Sequence, residues 1–374
     1  MFRAAEKGTF PQTGRVNPVA RLKSIQFRVT SSVNRAWRIL RLYGANGSAQ
    51  AWGRLFLYAA KRLAGRPVPV FFDIALTYRC QCRCVHCSAD SFRDEGRKES
   101  DTALFKEAID QARRLGVLEV IFSGGEPLLR EDIVELVRHA HRAGMIIRLN
   151  TNGLLLSDKL TAELKRAGLN QCGVSIDSAD PGVHDGLRRQ PGLSGRVDEG
   201  ILNLKRHGIR FQVLTYASKA NVDSGLKSII ERGRRLGALG VFIFFPVAVG
   251  RWNLAFDRVL SEEESEKVRR LQDLTFVHLE LPTRRTNCCA YDKLVLYMTP
   301  YGEVTPCPFV PFAYGNLRDN TLEELWERFT ARLDLKSPGF CPMNKERTRE
   351  EFKRHIEGVR VTGIFRLPSR RISI

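Results

Sequence analysis

From residue 70 onward the chain alternates between two hydrophobic periods. Val70 to Leu76 is apolar with a single acid, as expected for a strand, and a helical pattern over 101–115 follows, with Ser100 and Asp101 as capping candidates and Gly116 as its stop. The same unit then recurs. Strands are predicted at Val117–Phe122, Met145–Asn150, Gln171–Ile176, Ile209–Thr215 and Leu239–Phe245. Helices are predicted at Arg130–Arg142, Ser157–Arg166, Gly195–Arg206 and Asp223–Leu236, several ending at Gly. Six strands separated by five helices form the pattern of a parallel βα barrel or open sheet. Such folds build their sites in the loops after the strands' C-terminal ends. The unusual residues fall there: four cysteines after the first strand, Ser123-Gly124-Gly125-Glu126-Pro127 after the second, Thr151-Asn152-Gly153 after the third and Asp177-Ser178 after the fourth.

The pattern changes at both ends. Beyond about residue 275 a hairpin is predicted over Lys293–Thr305 with its turn at Thr299–Glu303, followed by a helix over Thr321–Leu333. Ahead of residue 70, Trp52, Leu55, Phe56, Ala59 and Leu63 fall on one side of a helix, with Arg54 and Lys61 opposite. The expected division is therefore a basic amphipathic extension (1–69), an α/β core (70–275) and a C-terminal region (276–374).

Charge sharpens this division. The 374 residues carry 60 Lys+Arg against 41 Asp+Glu, a net +19, and thirteen of those cations precede residue 70 with only Glu6 as counter-charge. Four readings of the extension stand open: a helix on an anionic membrane surface, a docking arm for an acidic partner, a removable transit segment, or a helix packed on the core with solvated arginines. Nucleic-acid binding gains no support, because the aromatics sit with the apolar stripe instead of interleaving with the charges. Composition excludes a disordered or collagen-like chain, with 43% hydrophobic residues. The longest apolar run, Val241–Val249, is broken by Pro246 and falls far short of the roughly 20 residues of a membrane span. The first residues lack a secretory pattern, so a cytoplasmic protein, peripherally membrane-associated on the first reading of the extension, is expected.

Of nine cysteines, four crowd into Cys80–Cys87, which favours metal or redox chemistry over a disulfide framework. In Cys80-x3-Cys84-x2-Cys87, three thiolates on one short loop suit three corners of a 4Fe–4S cube. Three ligands leave one iron open to a chelating molecule. The alternative is zinc on Cys82, Cys84, Cys87 and His86, although no second ligand pair stands nearby.

The loop Leu76-Thr77-Tyr78-Arg79-Cys80-Gln81-Cys82-Arg83-Cys84-Val85-His86-Cys87, with Gly124-Gly125-Glu126-Pro127 after the next strand, resembles the radical SAM enzymes. The resemblance implies a partial (β/α)6 TIM-like barrel in which Cys80, Cys84 and Cys87 ligate a 4Fe–4S cluster and S-adenosylmethionine (SAM) chelates its fourth iron. It further implies that Gly124, Gly125 and Glu126 receive the methionine amino group, that His86 lies against the adenine, and that Ser175 and Asp177 hold the ribose or carboxylate. Asn152 and the stretch Pro246–Arg251 match weaker contacts. Where the family often has Asn-Leu, this chain has Gln81-Cys82, and Cys82 is taken as a packing residue. The implied activity is reductive cleavage of SAM to a 5′-deoxyadenosyl radical that abstracts hydrogen from a substrate.

The C-terminal region resembles the auxiliary-cluster extension called SPASM, or its shorter form, twitch, through Gly302-x4-Cys307 and Gly315-Asn316-Leu317 to Leu325-Trp326. Cys288, Cys289, Cys307 and Cys341 suffice for one further iron–sulfur cluster, the alternative being that some are ordinary buried thiols. Peptide or protein modification ranks first by a small margin, ahead of a sugar, aminocyclitol or tetrapyrrole substrate. A flavodoxin- or ferredoxin-type reductant is implied. A non-enzymatic electron carrier is the reading from another class, and the glycine motif argues against it, because a carrier needs no methionine pocket.

Overall fold

Side-chain caps start the helices where the pattern places them. In a computed structural model that describes residues 49–65, 68–273, 275–280, 293–332 and 341–357, Asp101 accepts from the Leu104 amide and Ser157 from that of Leu160. Ser261 and Glu264 close a reciprocal capping box. Gly116 and Gly168 end their helices at φ near +100°, the left-handed conformation that glycine adopts without strain.

The helices are α1 (Ala49–Leu63), α2 (Thr102–Leu115), α3 (Ile133–Arg142), α4 (Asp158–Ala167), α5 (Pro181–Arg188), α6 (Leu193–Arg206), α7 (Gly225–Leu236), α8 (Glu262–Arg270), α9 (Leu322–Arg332) and α10 (Glu346–Glu357). The strands are β1 (Phe71–Thr77), β2 (Glu119–Gly124), β3 (Ile146–Thr151), β4 (Gln171–Ser175), β5 (Arg210–Tyr216), β6 (Val241–Phe244), β7 (Val277–Glu280), β8 (Val295–Met298), β9 (Glu303–Thr305) and β10 (Gly315–Asn316). They form one sheet in the order β10-β9-β8-β1-β2-β3-β4-β5-β6-β7. Pairing is parallel from β8 through β1 to β7 and antiparallel for β8–β9 and β9–β10.

The expected six-strand alternation is present, with two additions. A seventh parallel strand, β7, extends the sheet beyond β6, and the hairpin strand β8 pairs with β1 on the other side, setting Tyr297 opposite Asp73. The C-terminal hairpin thus abuts the strand that leads into the cysteine loop. Helices cover the sheet, and strand residues such as Ile74, Phe122, Ile147 and Val174 are fully buried between the layers.

Helix α1 differs from an ordinary surface helix. Lys61, on its polar side, donates to the last-turn carbonyl of Leu115 in α2 at 3.0 Å. Trp52, Phe56 and Leu57 are instead 44%, 78% and 50% exposed. Among the described residues, no helix is long and apolar enough to cross a membrane.

Candidate functional site

Cys80, Cys82, Cys84 and Cys87 follow β1, and the ends of the neighbouring strands hold their loop from several sides. From β2, Gly124 at φ +126° and Gly125 lie so close to Thr77–Arg79 that a Cβ on either would collide with those carbonyls. The amides of Gly125 and Glu126 donate to Thr77 O at 2.7 Å and Arg79 O at 2.9 Å. The glycine motif is therefore the floor beneath the cysteine loop. From β3, Asn152 Nδ2 donates to Cys80 Sγ at 3.8 Å and to Gln81 Oε1 at 3.4 Å.

Behind these contacts sits the fully buried Glu126, which accepts from Thr151 Oγ1, the Asn152 amide and the Leu128 amide. Burial pushes its carboxyl up to about 7 despite those bonds.

After β4, Asp177 joins the loop to α5. Its Oδ2 accepts from Arg188 Nε at 2.5 Å and lies 3.6 Å from His86 Nε2, and its own amide donates to His184 Nδ1 at 3.1 Å. Burial alone would raise the Asp177 carboxyl, but the charge of Arg188 and the proximity of His86 hold it below the usual range. Burial likewise drives His86 down to about 4, so the ring is neutral at pH 7. One face of that ring stacks on Tyr216, with centroids 3.7 Å apart, and Trp252 lies at 6.1 Å. Ser175 ends β4 half-buried, paired in register with Leu214.

From beyond β6, Gly250 (φ +63°) packs on the carbonyl of Cys87, and the Arg251 amide donates to that oxygen at 3.0 Å. The Arg251 guanidinium reaches Arg83 O, Cys84 O and Asp90.

The thiols are not alike. Hydrogen bonding from Cys82 pulls the Cys84 thiol below the ordinary thiol range, with burial opposing and Arg188 assisting, whereas burial pushes Cys87 up to about 12. Cys82 is buried between Cys80 and Cys84, and Cys172 lies fully buried on β4. Among the described residues no three Cys, His, Asp or Glu side chains gather tightly enough to hold a single metal ion.

In the C-terminal region Cys307 and Cys341 are both buried, while Cys288 and Cys289 lie outside the described residues. The hairpin is tied to the cysteine loop's flanks: Tyr297 Oη lies 3.0 Å from Tyr78 Oη, Ser100 N donates to Pro300 O at 2.7 Å, and Arg97 pairs with Glu303.

Comparison with known proteins agrees with this layout. Residues 74–229 match the model of the radical SAM superfamily, and residues 288–349 match that of SPASM, an iron–sulfur cluster-binding domain. AdoMet-dependent heme synthase of Methanosarcina barkeri is 30% identical over 306 residues, covering 72% of this chain and 87% of that protein. The chain belongs to the radical SAM superfamily. The enzyme of the same name from Oleidesulfovibrio alaskensis is 28% identical over 71% of this chain and 76% of its own length. Among solved structures, Streptococcus suis SuiB bound to its precursor peptide SuiA aligns with a TM-score of 0.59 at 15% identity, over 75% of this chain and 70% of SuiB. AdoMet-bound anSMEcpe gives 0.56 at 15% identity, over 78% and 99%. These structures share the fold.

As a radical SAM enzyme the chain uses a 4Fe–4S cluster and SAM, with further iron–sulfur binding in its SPASM region. The donor set fits. Cys80 and Cys84 each face a nitrogen donor that would stabilise a ligating thiolate. The buried atoms His86 Nδ1 and Asp177 Oδ1 have no hydrogen-bond partner among the described residues, leaving polar capacity beside the loop for a bound molecule.

Sequence reasoning did not single out Arg188, Tyr216 or Trp252. Arg188 stands 104 residues from Cys84, on a short helix missing from the predicted elements; its one local signal is Asp180-Pro181, a cap followed by a first-turn proline.

Proposed function

We propose that this radical SAM enzyme acts on a tetrapyrrole in AdoMet-dependent haem formation, in preference to a peptide. The observation that carries this reading is the relatedness to AdoMet-dependent heme synthases, which extends over 71–72% of the chain and 76–87% of two such enzymes. The likeness to peptide-bound SuiB rests on 15% identity and supports the fold alone. Cations near the cysteine loop suit a substrate bearing carboxylates: the Arg79 side chain is 62% exposed, and Arg83 is exposed.

In this reading Cys80, Cys84 and Cys87 would hold the cluster. Gly124, Gly125, Glu126, Asn152, His86, Ser175 and Asp177 would line the SAM site, and Cys288, Cys289, Cys307 and Cys341 an auxiliary cluster. When bound, the cluster and SAM supply one-electron cleavage of a carbon–sulfur bond; a flavodoxin- or ferredoxin-type protein would deliver the electron. The protein's part is to orient and to exclude water: Glu126 fixes the loops after β2 and β3, Asp177 and Tyr216 fix His86, and Arg251 holds the cysteine loop closed.

The test is anaerobic incubation of reconstituted enzyme, SAM and reductant with carboxylate-bearing porphyrins, iron-loaded and free-base, followed by mass spectrometry. A mass change in a macrocycle together with 5′-deoxyadenosine is expected. SAM cleavage that leaves both macrocycles unchanged, while a peptide encoded beside the gene is modified, overturns the assignment.

We further propose that α1 rests on an anionic membrane surface. Its outward side presents Trp52 and Phe56 while Lys61, on the opposite side, faces the core, and the surrounding sequence is strongly cationic. Co-sedimentation with phosphatidylglycerol vesicles, absent with phosphatidylcholine and lost in Phe56→Glu, is the expected result. Equal sedimentation of wild type and variant refutes it, as does a dimer in solution that Phe56→Glu disperses.

A further inference from the structure

One largely buried cation touches the cysteine loop, and its contacts with Asp177 and Cys84 carry a consequence beyond the roles above. Arg188 is the last residue of α5, its side chain is 12% exposed, and Arg189 beyond it turns left-handed at φ +48°. Three contacts run from this helix end to the loop. The Arg83 amide donates to Arg188 O at 3.1 Å, and the Val85 amide to Leu187 O at 2.9 Å. Between them, the guanidinium turns Nη1 onto Cys84 Sγ at 3.7 Å while Nε stays bonded to Asp177 at 2.5 Å. Cys84 is thus gripped at its sulfur by a charged donor and through both neighbouring amides by the helix's free carbonyls.

The arrangement is expensive to bury, and a purely structural task would not need it: the two backbone bonds already fix the loop. A charged N–H aimed at sulfur has an electrostatic consequence. Reducing an iron–sulfur cluster adds one electron, and that negative charge is shared with the ligand sulfurs. A hydrogen bond and a positive charge at one sulfur favour the reduced state. Asp177 opposes this effect from the far side of the guanidinium. Arg251 adds a cation near the Cys84 carbonyl, and Asn152 a neutral donor at Cys80.

We infer that Arg188 is a positioning residue that fixes Cys84 Sγ and raises the reduction potential of the cluster, with Asp177 holding its guanidinium on that sulfur and moderating its charge. The inference rests on the reading that Cys80, Cys84 and Cys87 ligate the cluster.

The test is a potentiometric titration of full-length reconstituted enzyme followed by electron paramagnetic resonance, using the signal that changes when SAM is added. That response and the iron content of wild type check the ligand reading by themselves. For Arg188→Met, the ratio of reduced to oxidised cluster at the wild-type midpoint is expected to fall about tenfold, which is 59 mV for one electron. Arg188→Lys keeps the charge and is expected to shift less. Asp177→Asn keeps a side-chain oxygen that can accept from Arg188 Nε but removes the opposing negative charge, so it is expected to shift the other way, a reversal that loosened packing alone would not produce. Unchanged midpoints in Arg188→Met with full iron content overturn the inference, as do shifts of the same sign in Arg188→Met and Asp177→Asn. Should Arg188→Met fail to retain iron, the opposite displacement in Asp177→Asn, set against Arg188→Lys, decides; no displacement there overturns it equally.

Discussion

Glu126 accepts the backbone amide of Asn152 at 2.8 Å from 26 residues away, and its other oxygen accepts the Thr151 hydroxyl at 2.8 Å. One carboxylate therefore ties the loop after β2 to the loop after β3, and Asn152 in turn reaches Cys80. In Glu126→Gln the amide nitrogen cannot accept, so at least one buried donor loses its partner. A destabilisation of about 1–3 kcal/mol is expected. Anaerobic urea denaturation should show it, together with weaker binding of SAM; an unchanged midpoint would contradict this role.

Gly250 offers a more local test. Its left-handed backbone packs on the carbonyl of Cys87, where a Cβ would clash, and the neighbouring Arg251 amide bonds the same oxygen. Gly250→Ala must strain the backbone or displace Cys87. The variant is expected to fold with near-native circular dichroism yet lose much of its iron on reconstitution. Gly195→Ala, a helix position where a Cβ would meet nothing within 4 Å, is the control and should retain iron.

Much of the core was legible because local chemistry and tertiary packing agree there. Asp101, Ser157, Gly116 and Gly168 punctuate helices whose apolar faces are the ones the sheet buries, so periodicity and caps point to the same elements. The cysteines and the Gly-Gly-Glu turn were visible because they interrupt that regularity. Three features were not. Helix α5 is only 8 residues long and carries Gly182 and Gly186, so its period is too short and too broken to register. The pairing of β8 with β1 spans more than 200 residues, and no local pattern encodes it. The stripe on α1 announced an amphipathic helix, but periodicity cannot say which side faces the protein; the Lys61 bond to Leu115 does.

Asp73 gives a pH dependence of fixed sign. Burial pushes its carboxyl from an ordinary 3.8 up to about 7, against the Ser123 hydrogen bond and the charge of Arg148. The folded protein then holds a proton that the unfolded chain releases, so this stabilisation is complete below pH 3.8 and is lost as pH rises to about 7. Asp73→Asn should remove that slope. Between pH 5 and 7.5 the wild type is expected to lose roughly 1–2 kcal/mol more than the variant, allowing for solvent screening. Parallel denaturation curves at the two pH values would refute the assignment.

The C-terminal cysteines distinguish ligands from packing by counting iron. Cys307 and Cys341 are both buried, a position equally natural for a cluster ligand and for an inert thiol. Replacing each cysteine separates the two. If Cys307 ligates an auxiliary cluster, reconstituted Cys307→Ser should fall from about eight irons per chain to about four, and the SAM-responsive signal should survive. Cys172→Ser, in the core of β4, would disturb stability and leave the iron count intact. Cys341→Ser should follow Cys307→Ser if both belong to one cluster and Cys172→Ser if it is a core thiol. A full iron complement in the Cys307 variant would remove the auxiliary site from that residue while leaving the Cys80–Cys87 loop untouched.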